Sequence, residues 1–188
     1  ENESVNLVQG GQRWYGESFD ANLTQSFKFN IPNVDPVTPI QVKYATASNA
    51  NSGMNTFLVT YNGTPLDTLL LSSTSTDYVR TSGSFAFNAS VSPVELVYTL
   101  NRVNPSVKAY LDYIELVGRR NLVFYGNSML FRDLNSVGVG NVSLFTISGM
   151  NASGRVWDVS SKTNPRLVDG TLTGNSFSFK QATDTLRE

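Results

Sequence analysis

Three pairs of carboxylates lie near one another along the chain: Glu17 with Asp20, Asp112 with Glu115, and Asp158 with Asp169. Two carboxylates flanking one bond are all that glycoside hydrolysis requires. The spacing argues against that use. Residues three apart in a strand face opposite sides of a sheet, so Asp112 and Glu115 are expected to point apart. The other two pairs lie near turns, where Asp and Glu act as capping or solvated groups. The chain holds no histidine and no cysteine, which removes Ser–His and Cys–His catalysis and the usual zinc ligand sets. A serine nucleophile would need a lysine base, and Lys28, Lys43, Lys108, Lys162 and Lys180 have no distinguishing context. The Asp-Thr-Leu tripeptides at Asp67 and Asp184 lack the glycine of an aspartic-protease loop. No Gly-x-Ser-x-Gly elbow is present, and Gly138-Val139-Gly140 alone makes no phosphate loop. Oxygen-bearing loops leave calcium open, although no spacing resembles an EF-hand. The expectation is a chain with no catalytic residue and no cofactor, and so not itself an enzyme.

The aromatic residues suggest binding instead of chemistry. Trp14, Tyr15 and Trp157 could form a flat platform for sugar rings, the basis of an alternative reading as a carbohydrate-binding module or surface adhesin. Against it, β-sandwiches bury such rings routinely. In a strand, Trp14 and Tyr15 must send one ring inward and one outward.

These side chains have to be positioned by strands, because period-two alternation dominates the sequence. Phe27, Phe29 and Ile31 share one face of 24–31, and Ile40, Val42 and Tyr44 share one face of 40–47. The segment 56–61 closes on Asn62-Gly63, a dipeptide suited to a type I′ turn, and 65–71 is expected to return beside it. Strands are also expected over 85–87 and 94–100. Residues 108–117 alternate Leu111, Tyr113, Glu115 and Val117 against Tyr110, Asp112, Ile114 and Leu116, which predicts a central strand packed on both faces. Leu111, Ile114 and Val117 also fit a helical spacing, but the β-branched and aromatic content favours a strand. Turn signals recur at Gly10-Gly11, Asn33, Asn62-Gly63, Ser82-Gly83, Ser92-Pro93, Asn104-Pro105 and Gly118. The fold class expected is all-β: an antiparallel sandwich or jelly roll over 1–119, then a smaller β-rich unit over 120–188. The smaller unit should carry strands near 122–125, 129–132, 142–147, 155–160 and 176–180, packing on the sandwich or on a further domain.

Composition narrows the partners. A chain of 188 residues with a net charge of -1 and only 15% charged residues offers no basic face for nucleic acid. It offers none for an anionic membrane surface either. Its longest aliphatic run, Leu69-Leu70-Leu71, is far too short to span a bilayer. Ser, Thr and Asn make up about a third of the chain, well above ordinary usage. That is the surface of an extracellular β-protein. The start at Glu1-Asn2-Glu3 reads as a processed segment. Six Asn-x-Ser/Thr sequons, at Asn2, Asn22, Asn62, Asn88, Asn141 and Asn151, follow from the abundance of these residues.

Three stretches in order carry a family resemblance: Trp14-Tyr15-Gly16-Glu17-Ser18-Phe19, Ala109 through Leu116 with Tyr110, Asp112 and Tyr113, and Val156-Trp157-Asp158-Val159-Ser160 followed by Asn164-Pro165. Across residues 13–170 they resemble the region ahead of the catalytic domain in PorU-like type IX secretion sortases of Bacteroidota. Those are similar to the gingipain-like cysteine peptidases of family C25. The family's catalytic Cys and His have no counterpart here. The resemblance therefore implies a non-catalytic accessory region at the bacterial outer-membrane surface. Its partners would be a downstream catalytic domain of the same polypeptide and secreted cargo proteins. In the motifs, Gly16 should permit a bend, Tyr110 and Tyr113 should bury their rings, and Trp157 should anchor the core of the second unit. Asp158 should face outward toward turn amides.

Overall fold

The computed structural model describes residues 5–7, 13–51, 53–71 and 78–188. The Asn2 sequon and the Gly10-Gly11 turn lie outside them. Two compact units divide the chain, Glu1–Arg120 and Asn121–Glu188.

Among the described residues, eight strands build the first unit: β1 (Ser18–Phe19), β2 (Thr24–Phe29), β3 (Ile40–Ser48), β4 (Thr56–Tyr61), β5 (Thr64–Leu70), β6 (Val79–Phe87), β7 (Val94–Asn101) and β8 (Ala109–Val117). They form two four-stranded antiparallel sheets, β1-β8-β3-β6 and β2-β7-β4-β5. Alternation of sequential strands between the sheets, with the first and last strands paired, is jelly-roll connectivity. The expected all-β sandwich is what the chain forms. Asn62 (φ 49°) and Gly63 (φ 77°) make the β4–β5 hairpin in the left-handed conformation that a type I′ turn needs.

The alternating residues of both inner faces fill the core. Ile40, Val42 and Tyr44 from one sheet meet Phe57, Val59, Val94, Leu96, Tyr98 and Leu100 from the other, all at most 1% exposed. Tyr44 is the keystone of this packing. Its ring stands edge-on to Tyr98 at 5.4 Å and to Phe85 at 6.0 Å, and its hydroxyl donates to Asp67 Oδ2 on β5 of the opposite sheet at 2.8 Å. Burial, and then the Asp67 carboxylate, push the Tyr44 phenol far above its ordinary pKa, so it remains a donor at every physiological pH. The ring needs room across the sheet. Gly83 is its direct partner in β6, and a Cβ there would stand 2.7 Å from the Tyr44 ring. The expected turn at Ser82-Gly83 is therefore mid-strand, and glycine is present for the neighbouring ring.

The strand over 108–117 is present and lies inside its sheet, between β1 and β3. Its neighbour along its whole length is β3, while on the other side β1 pairs only with Ala109 and Tyr110. Pairing with β3 also slips between Ala45 and Thr46: Ala45 faces Tyr113 and Thr46 faces Leu111, so Asp112 is an extra residue. This β-bulge resets the alternation. Ala109 and Leu111 before it, and Ile114 and Leu116 after it, all join the core. The three-residue step from Leu111 to Ile114 that imitates a helix is the signature of the bulge, while Val117 lies exposed.

In the second unit, β9 (Val142–Ser148), β12 (Thr171–Thr173) and β13 (Ser176–Ala182) form a sheet of order β12-β13-β9. The ribbon β10 (Trp157–Asp158) with β11 (Arg166–Leu167) and a 3-10 turn at Leu134–Ser136 complete it. Its core is its own: Ile147, Met150, Val156 and Phe179 are buried, with Leu122, Phe124, Met129 and Phe131 packed against them. The strands expected at 122–125 and 129–132 are absent as strands. Their alternate residues point inward because an extended segment lies on the core, and Val123 makes a single bridge to Ser148. The strand expected over 155–160 shortens to the two residues of β10.

Two hydroxyls in the jelly-roll core separate packing from hydrogen bonding. Tyr44→Phe leaves Asp67 Oδ2 without its phenol donor and is expected to destabilise the protein by about 1–3 kcal/mol. The buried Tyr98 hydroxyl has no hydrogen-bond partner among the described residues, so Tyr98→Phe should be neutral or mildly stabilising. Urea denaturation of the two variants checks this ordering.

Candidate functional site

The first two sequence motifs are brought together; the third lies in the other unit. Tyr15 pairs with Val5 through two backbone hydrogen bonds, of 2.8 and 3.0 Å. Gly16 N–H then donates to the Leu111 carbonyl, and Leu111 N–H donates to the Glu17 carbonyl, each at 3.0 Å. Two residues oppose one, so the bend expected at Gly16 takes the form of a second bulge. Ser18 then pairs with Tyr110. Within the dipeptide, Tyr15 points inward at 6% exposure while Trp14 is 46% exposed. A platform of Trp14, Tyr15 and Trp157 therefore does not form, because the middle ring is buried.

On the outer face of the first sheet, the bulge places Asp112 beside Tyr113. Arg80 of β6 reaches across β3, and its Nε donates to Asp112 Oδ2 at 2.6 Å. The same guanidinium lies 5.7 Å from the centre of the Tyr113 ring, within cation–π range. Tyr110 meets Tyr78 edge-on at 5.7 Å. Beneath this cover lie the small residues Ala45 and Ala47, paired with Tyr113 and Tyr110 and almost wholly buried. Tyr110 and Tyr113 are half-buried on this outer face, not in the core. The bulge also overturns the expectation that Asp112 and Glu115 point apart, since Leu111 and Ile114 both turn inward. Asp112 is nevertheless committed to Arg80, which leaves no acid–base pair here.

Asp20 is likewise answered by cations. Its Oδ2 lies 2.8 Å from Lys108 Nζ, and its Oδ1 lies 3.5 Å from the Arg102 guanidinium. The Lys108 hydrogen bond first, with Arg102 assisting and slight burial opposing, holds the Asp20 carboxyl below its usual value. Among the described residues, no group of three or more acidic side chains gathers in a form that could hold a metal ion.

In the second unit, Val156 is buried at 8% while Trp157 is 53% exposed. The core anchor is therefore the valine, and the indole lies at the surface. Asp158 is turned inward. It accepts from Ser160 N–H and from Gln181 Nε2, both at 3.0 Å, and Arg187 lies 3.9 Å away. Burial alone would raise its pKa. The Ser160 hydrogen bonds, with Arg187 and Arg166 nearby, outweigh that and hold the carboxyl below its usual value.

Beside Trp157 opens a cleft of about 610 Å³ between the segments 124–131 and 147–157. Two glycines shape it. Gly126 (φ 69°) turns the chain in a left-handed conformation. Gly149 (φ 77°) lets the Phe124 carbonyl come within 3.2 Å of where a Cβ would stand. Apolar walls come from Phe124, Met129, Met150 and Trp157, and polar groups from Asn127, Ser128, Arg155 and Glu188. Sequence reasoning reached Trp157 and Asp158 but missed this cleft, because its shape comes from glycine turns acting on separated segments. It also missed Arg80, whose partner is two strands away.

No family model matches the chain, and no curated protein matches it. Solved structures do. Dimeric latent PorU from Porphyromonas gingivalis matches with a TM-score of 0.75 at 22% identity, over 97% of this chain and 18% of that chain. The insecticidal delta-endotoxin Cry8Ea1 from Bacillus thuringiensis matches 55% of this chain and 19% of its own, with a TM-score of 0.41 at 19% identity. The PorU likeness is one of fold, and the chain spans less than a fifth of the PorU chain it matches.

The lowered Asp158 pKa fixes the sign of a pH effect. Its contribution to stability is complete above the unfolded carboxylate value, about 3.9, and is lost as pH falls through the lower folded value. The melting-temperature difference between the wild type and Asp158→Asn should hold at neutral pH and shrink below about pH 4. A difference that grows on acidification would contradict the assignment.

Proposed function

We propose that this chain is a non-catalytic accessory region of an exported, gingipain-like cysteine peptidase of the PorU-like sortase kind. In this reading it acts at the outer-membrane surface and positions the catalytic domain or the cargo. The observation that carries the proposal is the PorU-like fold over 97% of the chain, joined to the absence of any Cys or His for the chemistry. The geometry supports a positioning role, because Asp20, Asp112 and Asp158 each face a cation. Such groups hold strands in place and are not themselves free acids or bases. The Arg80–Tyr113 face and the end of the first sheet near Trp14 then serve as contact surfaces.

The second reading, a carbohydrate-binding module or adhesin, is favoured by one observation, the half-exposed Trp157 indole on the cleft.

The first reading is tested by the gene and by activity together. The reading frame beyond residue 188 should encode an α/β domain bearing a Cys and a His, and the isolated chain should cleave no peptide. A frame without that domain, or turnover by the chain alone, would defeat the proposal.

A further inference from the structure

The cleft beside Trp157 has the size, wall chemistry and charge of a ligand site. At about 610 Å³ it falls within the roughly 300–1,000 Å³ of small-ligand pockets. It is also a concavity, unlike the broad patches by which proteins dock. We infer that it binds a neutral saccharide segment, with the Trp157 indole stacked beneath one sugar ring. This deepens the carbohydrate reading and does not depend on the peptidase reading.

Trp157 is not held at its position by the core. Val156 fills the interior, and the two-residue ladder with β11 fixes the backbone. An indole left 53% exposed on a cleft wall offers an apolar plane with one N–H at its edge. The C–H face of a pyranose matches such a plane, and its hydroxyls project toward the rim.

That rim carries amide and hydroxyl groups. Asn127 and Ser128 are exposed and make no side-chain hydrogen bond among the described residues. Between them they supply donors and acceptors suited to sugar hydroxyls. The charges then select the class of sugar. Arg155 spends Nη1 on the Ala152 carbonyl at 3.0 Å and the Gly154 carbonyl at 2.8 Å, and its charge is balanced by Glu188 on the same lining. Glu188 adds a carboxylate that accepts from hydroxyls and repels acidic ligands. A peptide fits less well, since the walls at 126–131 and 151–155 are loops with no open strand edge to extend.

The test uses the whole 188-residue chain carrying Trp14→Phe, which leaves Trp157 as the sole indole. Its fluorescence is titrated with neutral trisaccharides of glucose, mannose, galactose and N-acetylglucosamine, with trigalacturonate, and with Gly-Phe-Gly. At least one neutral sugar should give a saturable shift that persists across about a tenfold change in salt. Calorimetry on chains with Trp14 intact should show affinity falling by about tenfold or more in Trp157→Ala, and severalfold in Asn127→Ala, with unchanged circular dichroism. Absence of saturable binding by every neutral sugar, or tighter binding of trigalacturonate or the peptide, overturns the inference. Undiminished sugar binding in Trp157→Ala also overturns this site while leaving the adhesin reading intact.

Discussion

The first unit depends on one side chain crossing from one sheet to the other. Tyr44 sits near the middle of β3, its ring covering Gly83 on the same sheet and its hydroxyl bonded to Asp67 on the opposite one. Packing and polarity agree there, because the buried phenol finds its acceptor in Asp67. The agreement places β5 over β3 and leaves Tyr98 and Phe85 to close around the ring. With β3 held at the centre, β8 is bound along its length. The bulge at Asp112 then turns Arg80, Asp112 and Tyr113 onto the outer face.

The same economy explains why the chain's acids are poor candidates for chemistry. Asp112 ties β8 to β6, Asp20 ties the β1–β2 connection to the start of β8, and Asp158 joins β10 to β13 and to Arg187. A catalytic acid or base has to be free to change its protonation state near neutral pH. Asp20 and Asp158 are instead held ionised, with pKa values below the usual range. What lies at the surface is a tyrosine–arginine face in the first unit and a tryptophan-walled cleft in the second.

Much of the fold was legible because β-strands write themselves in period two. Phe27 and Phe29, Ile40 and Val42, and the Asn62-Gly63 turn fall where alternation and turn chemistry put them. The departures share a cause, which is that tertiary neighbours decided the local conformation. Gly83 read as a turn because glycine usually marks one, yet its partner's ring required it in a strand. Residues 108–117 form an inner strand as expected, but they read as packed alike on both faces because a bulge places Leu111 and Ile114 on the same side. Leu122, Phe124, Met129 and Phe131 alternate like strand residues but pack as an extended coil. For Trp157, sequence reasoning assigned the wrong place, since nothing local tells whether Val156 or Trp157 turns inward. The cleft loops were illegible because their shape comes from Gly126 and Gly149 acting on separated segments.

The central claim is the proposal that these residues contribute position and contact, with chemistry supplied elsewhere in a longer polypeptide. The most direct measurement compares the parent protein with a version lacking residues 1–188, assayed on a cargo protein and on a short peptide. The account predicts that peptide cleavage persists while cargo processing falls by about tenfold or more, the loss expected when positioning is removed. Equal processing of cargo with and without these residues would contradict it.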